Sequence, residues 1–139
     1  MNGITIANMK VGDSACFTKT ITETDVYLYA GISGDFNPAH INQSEAEKGM
    51  FGKRIAHGML SAGLISTVLG TRLPGSGTIY MGQELRFTKP VYFGDTITAT
   101  VTVAELIPEK NRAKLETVCT NQNGDVVITG FATVMPPKA

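Results

Sequence analysis

An acidic and a basic side chain stand close together in one polar segment of the sequence. Asp35 and His40 flank Asn37-Pro38, where proline fixes its own φ and keeps the preceding residue out of the helical region. Such a bend can direct both side chains into one small space. A carboxylate that faces an imidazole can transfer protons at neutral pH, because each group can hold the other in a defined protonation state. By spacing alone, however, such a pair is more often a helix cap and a surface residue.

A second candidate lies at the start of the most apolar segment. His57-Gly58 opens this segment, so the backbone N–H groups of its first helical turn would lack an internal acceptor and carry the positive end of the helix dipole. Glycine at position 58 allows a ligand to approach that backbone closely. These are the properties of an oxyanion hole, which stabilises negative charge on a carbonyl oxygen. Alternatively, Gly58 only eases the helix start and His57 caps it.

The elements that must position these residues divide the chain into two halves. His57 to Leu73 predicts one long helix, buried nearly all round because its single charge is Arg72 near its end. Asn123-Gly124 is a hairpin signal between the last two of four strand-like stretches. These stretches are Thr78 to Phe87, Thr96 to Leu106, Ala113 to Thr120 and Val126 to Val134. A long apolar helix followed by antiparallel strands predicts an α+β domain in which a curved sheet wraps the helix.

The first half predicts one strand and short helices separated by loops. The strand covers Ser14 to Ile21, a short helix starts at Thr24-Asp25, and Ser44 to Glu47 can form about one helical turn. Gly31 to Pro38 and Lys48 to Ala56 are predicted loops. Because these loops precede successive helices, the two candidate features can converge on one cleft.

Composition restricts the class of protein. The 139 residues fit a single domain spanning 1–139, and 12 basic residues balance 12 acidic ones, which predicts no nucleic-acid or anionic-membrane partner. The apolar runs are shorter than a bilayer span and the N-terminus has no signal-peptide pattern, which predicts a cytoplasmic protein. His40 and His57 are far apart in sequence and match no ligand spacing, so no metal is predicted.

The sequence around Asp35 resembles the MaoC-like, or type 2 enoyl-CoA hydratase, family. That family carries an aromatic, an aliphatic and a small residue, then Gly-Asp-x-Asn-Pro-aliphatic-His and a further small residue. The matching positions here are Tyr29, Ile32, Ser33, Gly34, Asp35, Phe36, Asn37, Pro38, Ala39, His40 and Ala46. Ala39 departs from the pattern, which usually has a larger aliphatic residue. The resemblance extends to His57-Gly58-Met59 and to Phe87, Pro90, Val91, Gly94 and Asp95.

This resemblance implies a hotdog fold and the (R)-specific hydration of trans-2-enoyl-CoA to (R)-3-hydroxyacyl-CoA by syn addition of water. Asp35 and His40 would hold the attacking water, and the N–H of Gly58 would bind the thioester carbonyl. Coenzyme A would be a substrate carrier, with no other cofactor. A homodimer is expected, because one five-stranded sheet around one helix would leave an edge and an apolar face exposed.

The resemblance also assigns substrate-binding residues. Asn37 would orient the loop or the Asp35–His40 pair, or would bond within its own turn. Ser66 matches a serine near the active-site aspartate of relatives, although a helical serine also bonds back to the preceding turn. Leu69 and Val134 match positions at the end of the acyl tunnel in short-chain relatives, which predicts a preference for short acyl chains.

Three alternatives remain. A 3-hydroxyacyl-carrier-protein dehydratase and a hotdog thioesterase would share the fold. Thioesterases generally place an acid on the central helix, and the sequence has no Asp or Glu between Gly58 and Leu73. A non-catalytic acyl-thioester-binding module would also share the fold, since a fold does not establish an activity. The intact Asp35–His40 pair disfavours this last alternative.

Overall fold

The computed structural model describes residues 2–139. Five strands form one antiparallel sheet in the order β1-β3-β4-β5-β2. They are β1 (Ser14–Thr20), β2 (Ile79–Phe87), β3 (Thr96–Ile107), β4 (Arg112–Thr120) and β5 (Val126–Met135). The helices are α1 (Glu23–Ser33), α2 (Pro38–Ile41), α3 (Gln43–Ala46) and α4 (Gly58–Thr71), with 3-10 turns at Ile6–Asn8 and Pro108–Lys110. The sheet packs around α4, which confirms the predicted α+β hotdog architecture.

The hydrophobic core lies between α4 and one face of the sheet. Alternate residues of β3 point into it, as expected for a strand with one buried face. The β3 residues are Ile97, Ala99, Val101 and Val103, and the α4 residues are Ala62, Leu64, Ile65, Val68 and Leu69. Burying one such Val, Ile or Leu side chain contributes about 1.5–3 kcal/mol. The predicted strands all form, and the Asn123-Gly124 turn, with Gly124 at φ 79°, joins β4 to β5.

One side of α4 is exposed in the single chain. Its residues, called the α4 stripe below, are Met59, Gly63, Ser66 and Gly70. The prediction of a helix buried nearly all round is therefore wrong for one chain. The absence of charges suggested burial, but the sheet covers one side of the helix only. Within residues 2–139, the helices are all too short or too polar to cross a membrane.

The two ends of α1 explain where the next loop begins. At its start, Thr22 and Asp25 form a capping box, in which each side chain accepts a hydrogen bond from the backbone N–H of the other residue. Hydrogen bonds from Lys19 and Thr22 hold the pKa of Asp25 below its usual value. The helix ends at Gly34, whose φ of 81° is the left-handed conformation common after a last helical turn. The loop predicted from Gly31 therefore starts later.

The sequence prediction missed α2, which carries His40. Asn37 is its N-cap, since the Asn37 Oδ1 accepts the backbone N–H of Ala39 at 3.0 Å, and Pro38 occupies the first helical position. The asparagine thus makes the hydrogen bond within its own turn that was one of its two expected roles. This short helix places His40 where it is buried.

Candidate active site

Asp35 and His40 face each other across the bend. The Nε2 atom of His40 lies 4.0 Å from Oδ2 of Asp35. The His40 side chain is 11% exposed and the Asp35 side chain 51% exposed, so the carboxylate stands at the solvent side of a buried imidazole. The distance is too long for a direct hydrogen bond, but it matches one water molecule held at about 2.8 Å from both atoms.

Backbone groups orient both side chains. Oδ1 of Asp35 accepts the N–H of Asn37 at 3.1 Å, which leaves Oδ2 directed towards His40. Nδ1 of His40 lies 2.7 Å from the carbonyl oxygen of Ile55. Because a carbonyl oxygen only accepts, Nδ1 carries a hydrogen, and Nε2 of the neutral ring is an acceptor. Both groups therefore present acceptor atoms to the space between them.

Arg54 fixes the segment that carries the Ile55 carbonyl. Its guanidinium donates to Gln43 at 2.9 Å, to Glu23 at 3.1 Å and to the Tyr27 hydroxyl at 2.6 Å. Hydrogen bonds from Tyr27 and Arg54 in turn lower the pKa of Glu23 from its ordinary value. This side chain therefore ties α1 and α3 to the residues before α4, and with them the acceptor that orients His40.

Gly58 is the first residue of α4, and its N–H has no acceptor within the helix. A Cβ atom here would lie 2.6 Å from Cε1 of Phe87, so glycine is needed for that ring to pack against the helix start. A mostly apolar cavity of about 390 Å³ opens beside Gly58. Its walls include Phe51, Ile55, Met59, Ser61, Phe87, Val91, Val127 and Ile128. A ligand in this cavity can approach the helix start.

The remaining predicted substrate-binding residues do not line this cavity in the described part of the chain. Ser66 is exposed on the α4 stripe. Leu69 is 1% exposed and Val134 is fully buried, and both pack in the core. The serine of α4 that does line the cavity is Ser61, whose Oγ is buried and has no hydrogen-bond partner among residues 2–139. No sequence signal distinguished Ser61 from its apolar neighbours.

His57 contacts both members of the Asp35–His40 pair, although the sequence suggested only a helix cap. Its Nε2 lies 2.9 Å from the carbonyl oxygen of Asp35. Its ring stacks on that of His40, with centroids 3.8 Å apart and 28° between the planes, and the Tyr29 ring lies 4.8 Å away on a tilt. The resemblance at His57-Gly58-Met59 was the one signal that could have pointed to this residue.

His40 and His57 are thus neighbours in the structure. The argument that their separation in sequence excludes a shared ligand cluster is therefore wrong. Asp35, His40 and His57 each offer one potential ligand atom, and these atoms lie within 4.8 Å of one another. A metal ligated by imidazole lies about 2 Å from nitrogen along its lone pair, which points in the ring plane. Two stacked rings cannot readily direct their lone pairs at one such point. The stacking therefore disfavours joint ligation, and the absence of a metal stays a prediction.

The buried thiol beside α4 does not suit nucleophilic catalysis. Cys119 lies 3.9 Å from the carbonyl oxygen of Ser61, and burial raises the pKa of its thiol to about 12. Since the thiolate is the nucleophile, Cys119 stays unreactive at neutral pH. The carboxylate, the imidazoles and the helix start remain the candidate chemical groups of this region.

Comparisons with known proteins identify the family of this chain. Residues 8–125 match the family model described as the MaoC like domain. The chain is 58% identical over 130 residues to a Rhodospirillum rubrum protein named (R)-specific enoyl-CoA hydratase, covering 94% of this chain and 90% of that protein. It is 49% identical over 132 residues to the 3-hydroxybutyryl-CoA dehydratase of Methylorubrum extorquens, covering 94% and 83%. An R-hydratase structure from Pseudomonas aeruginosa superposes with a TM-score of 0.93 at 46% identity, covering 99% and 88% of the two chains.

Proposed function

Because the chain belongs to the MaoC-like family, we propose that it is an (R)-specific enoyl-CoA hydratase, a hydro-lyase that adds water to trans-2-enoyl-CoA. The observation that carries this proposal is the Asp35–His40 pair, which is spaced for one water molecule and contacts His57, the residue directly before Gly58 at the start of α4. Hydratase and dehydratase, the names of the two relatives, describe the two directions of one reaction. Coenzyme A would carry the substrate, no further cofactor is needed, and we place the enzyme in the cytoplasm.

The orientation of His40 suggests how the protons move. Its Nδ1–H is held by the Ile55 carbonyl, so Nε2 is free to accept a proton from water while the oxygen adds to Cβ of the enoyl group. The Asp35 carboxylate accepts the second O–H of that water and stabilises the imidazolium that forms. Nε2–H then returns the proton to Cα. Because water and proton come from the same side, addition is syn, and the atoms of one water molecule end on Cβ and Cα.

The start of α4 would stabilise the charge that develops during this addition. Electrons displaced from the double bond accumulate on the thioester oxygen, which becomes enolate-like. The N–H of Gly58 and the positive end of the helix dipole can bind that oxygen. The apolar cavity beside Gly58 gives the thioester a surface to bind and limits access of water.

Crotonyl-CoA is the direct test of the proposed function. Purified protein is expected to lower the ultraviolet absorbance of the conjugated thioester, and chiral chromatography of the product is expected to give (R)-3-hydroxybutyryl-CoA. An (S) product or no hydration would contradict the proposal. A much higher rate with the same acyl group on a carrier protein would instead favour the carrier-protein dehydratase.

We further propose a homodimer, which two exposed features support. Strand β2 is at the edge of the sheet, where its backbone can pair with another strand. It carries exposed apolar side chains, with Ile79 55%, Tyr80 40% and Met81 49% exposed. The α4 stripe contains two glycines and a serine, which allow a second helix to approach closely. A two-fold pairing of β2 with its copy would cover these surfaces.

Light scattering is expected to give twice the mass of one chain at micromolar concentration. Met81→Lys should shift the mass towards the monomer, because a two-fold axis brings the same strand of both chains together and buries the added charges. Val11→Lys is the matched control, since Val11 is 65% exposed and lies outside β2. An active wild-type monomer would contradict the dimer.

A preference for short acyl chains is expected because the resemblance places Leu69 and Val134 at the end of the acyl tunnel, and both side chains are buried in the core. Each methylene group of a longer acyl chain that cannot be buried loses about 0.8 kcal/mol of binding free energy. Wild-type protein should therefore hydrate crotonyl-CoA faster than decenoyl-CoA, and Val134→Ala should raise the relative rate with decenoyl-CoA. Val103→Ala, which shortens an equally buried valine on β3, should leave the ratio unchanged. Equal wild-type rates with both thioesters would refute this preference.

A further inference from the structure

We infer that His57 is a positioning residue that holds the carboxylate loop, the imidazole of His40 and the start of α4 in one arrangement. This inference rests on the proposed hydratase function and adds a residue to its machinery. His57 itself is 2% exposed, so it acts from behind the residues that would meet water and substrate. Three separate contacts carry the inference.

The first contact joins His57 to the loop of Asp35. The carbonyl oxygen of Asp35 can only accept, so the Nε2 of His57 at 2.9 Å donates. The loop between α1 and α2 is short, and the Asp35 side chain that it carries is half exposed. This hydrogen bond therefore fixes the backbone of Asp35 against the protein interior, and with it the direction of the carboxylate.

The second contact fixes the ring of His40. One face of that ring lies against His57 at 3.8 Å between centroids, while its Nδ1 bonds to the carbonyl of Ile55. Tyr29 packs on the His57 ring from another direction at 4.8 Å. A hydrogen bond and a stacked face together restrict both the tilt and the rotation of the His40 ring. Its Nε2 is thereby held towards Oδ2 of Asp35.

The third connection is the peptide bond between His57 and Gly58. His57 is the N-cap of α4 and directly precedes its first residue. Residues at this position usually use their side chains to accept a helix N–H. His57 makes no such bond, and its side chain reaches back to Asp35 instead. One residue therefore links the proton-transfer pair to the N–H that would bind the thioester oxygen.

The chemistry of the side chain also argues against a packing role alone. Nδ1 of His57 is buried without a hydrogen-bond partner among residues 2–139, which costs free energy. Phenylalanine would fill the same space without burying a polar nitrogen. Histidine is therefore favoured for the Nε2–H that bonds to Asp35, together with its flat ring.

Three variants separate these contributions with crotonyl-CoA as substrate. His57→Phe keeps a stacking ring and removes the donor, His57→Gln keeps a donor near the place of Nε2 and removes the ring, and His57→Ala removes both. We expect kcat to fall about 10²-fold for His57→Ala and about 10-fold for each of the others, with KM changed less than about threefold, since misplacement of reacting groups acts on the chemical step. Ile65→Val, a buried change elsewhere on α4, controls for lost stability.

The decisive readout combines His57→Phe with Asp35→Asn. If His57 acts by positioning the pair, the second change should cost less than about twofold once Asp35 is lost, because the unit is already broken. The inference would be overturned if His57→Phe lowered kcat as much in the Asp35→Asn background as in the wild type. It would also be overturned if kcat were unchanged in both His57→Phe and His57→Gln. A wild-type protein that does not hydrate crotonyl-CoA would instead refute the proposed function. Should His57→Phe not fold, His57→Gln in the same double variant gives the answer.

Discussion

Replacing Asp35 by Asn or His40 by Asn is expected to lower kcat for crotonyl-CoA by about 10²–10⁴, the range for losing a positioned acid or base. Such losses correspond to about 3–5 kcal/mol in the barrier. Both variants are expected to preserve the local structure. An amide oxygen can still accept the N–H of Asn37, and the amide of Asn at position 40 can still donate to the carbonyl of Ile55. The expected loss therefore reports proton transfer, and KM should change little.

A variant that carries both the Asp35 and the His40 substitutions tests the mechanism more sharply. If Asp35 and His40 handle one water molecule together, removing the second group should cost far less than it does in the wild-type background. Glu109→Gln, which neutralises an exposed carboxylate in a 3-10 turn, is the control and should leave kcat unchanged. Near-normal turnover in both single variants, with an unchanged circular dichroism spectrum, would exclude this mechanism and favour a binding module or another acid.

Gly58→Pro is expected to lower kcat by about 10²–10³, the effect of deleting one oxyanion donor. Proline has no N–H and is favoured at the first position of a helix, and the preceding His57 has ψ 133°, the extended conformation that a following proline requires. The helix should therefore form. The structure adds one complication, because any Cβ at this position meets the ring of Phe87.

Gly58→Ala resolves that complication, since it adds the Cβ and keeps the N–H. Phe87 is 53% exposed, so its ring can move aside in both variants. The ratio of kcat between the Ala and Pro variants then measures the N–H alone. Combining each variant with Phe87→Ala, which relieves the contact, should leave that ratio unchanged. Equal rates for Ala and Pro would show that the N–H of Gly58 does not bind the developing charge.

The parts of the fold that depend on periodicity could be predicted from the sequence. The strand-like stretch from Thr96 to Leu106 and the apolar run of α4 predicted a strand and a helix packed in the core, and both are present, although one side of α4 is exposed. The start of the loop before Asp35 could not be placed, because Gly31 and Gly34 look alike in sequence. Only the backbone shows that Gly34 takes the left-handed conformation.

Within the candidate site, the proximity of two side chains was predictable where they are close in sequence. Asp35 and His40 share one bend, so their spacing carried the information. His57 joins them through a tertiary contact, and no local pattern encodes the stacking of its ring on His40. The exposed side of α4 was not predicted for another reason. An apolar sequence indicates that a helix surface is buried, but it does not indicate whether the same chain or a second chain buries it.

The two histidines of the site are oriented by main-chain carbonyls, those of Ile55 and Asp35. A carbonyl belongs to every residue type, so the acceptor for His40 survives any replacement of the Ile55 side chain that keeps the path of the chain. Under the proposed function, a substitution at position 55 can therefore change the lining of the cavity, and with it the acyl groups that fit, without changing the tautomer of the His40 ring. The proposed substrate range and the proposed proton transfer would then depend on different atoms of the same residue, the side chain and the carbonyl oxygen of Ile55.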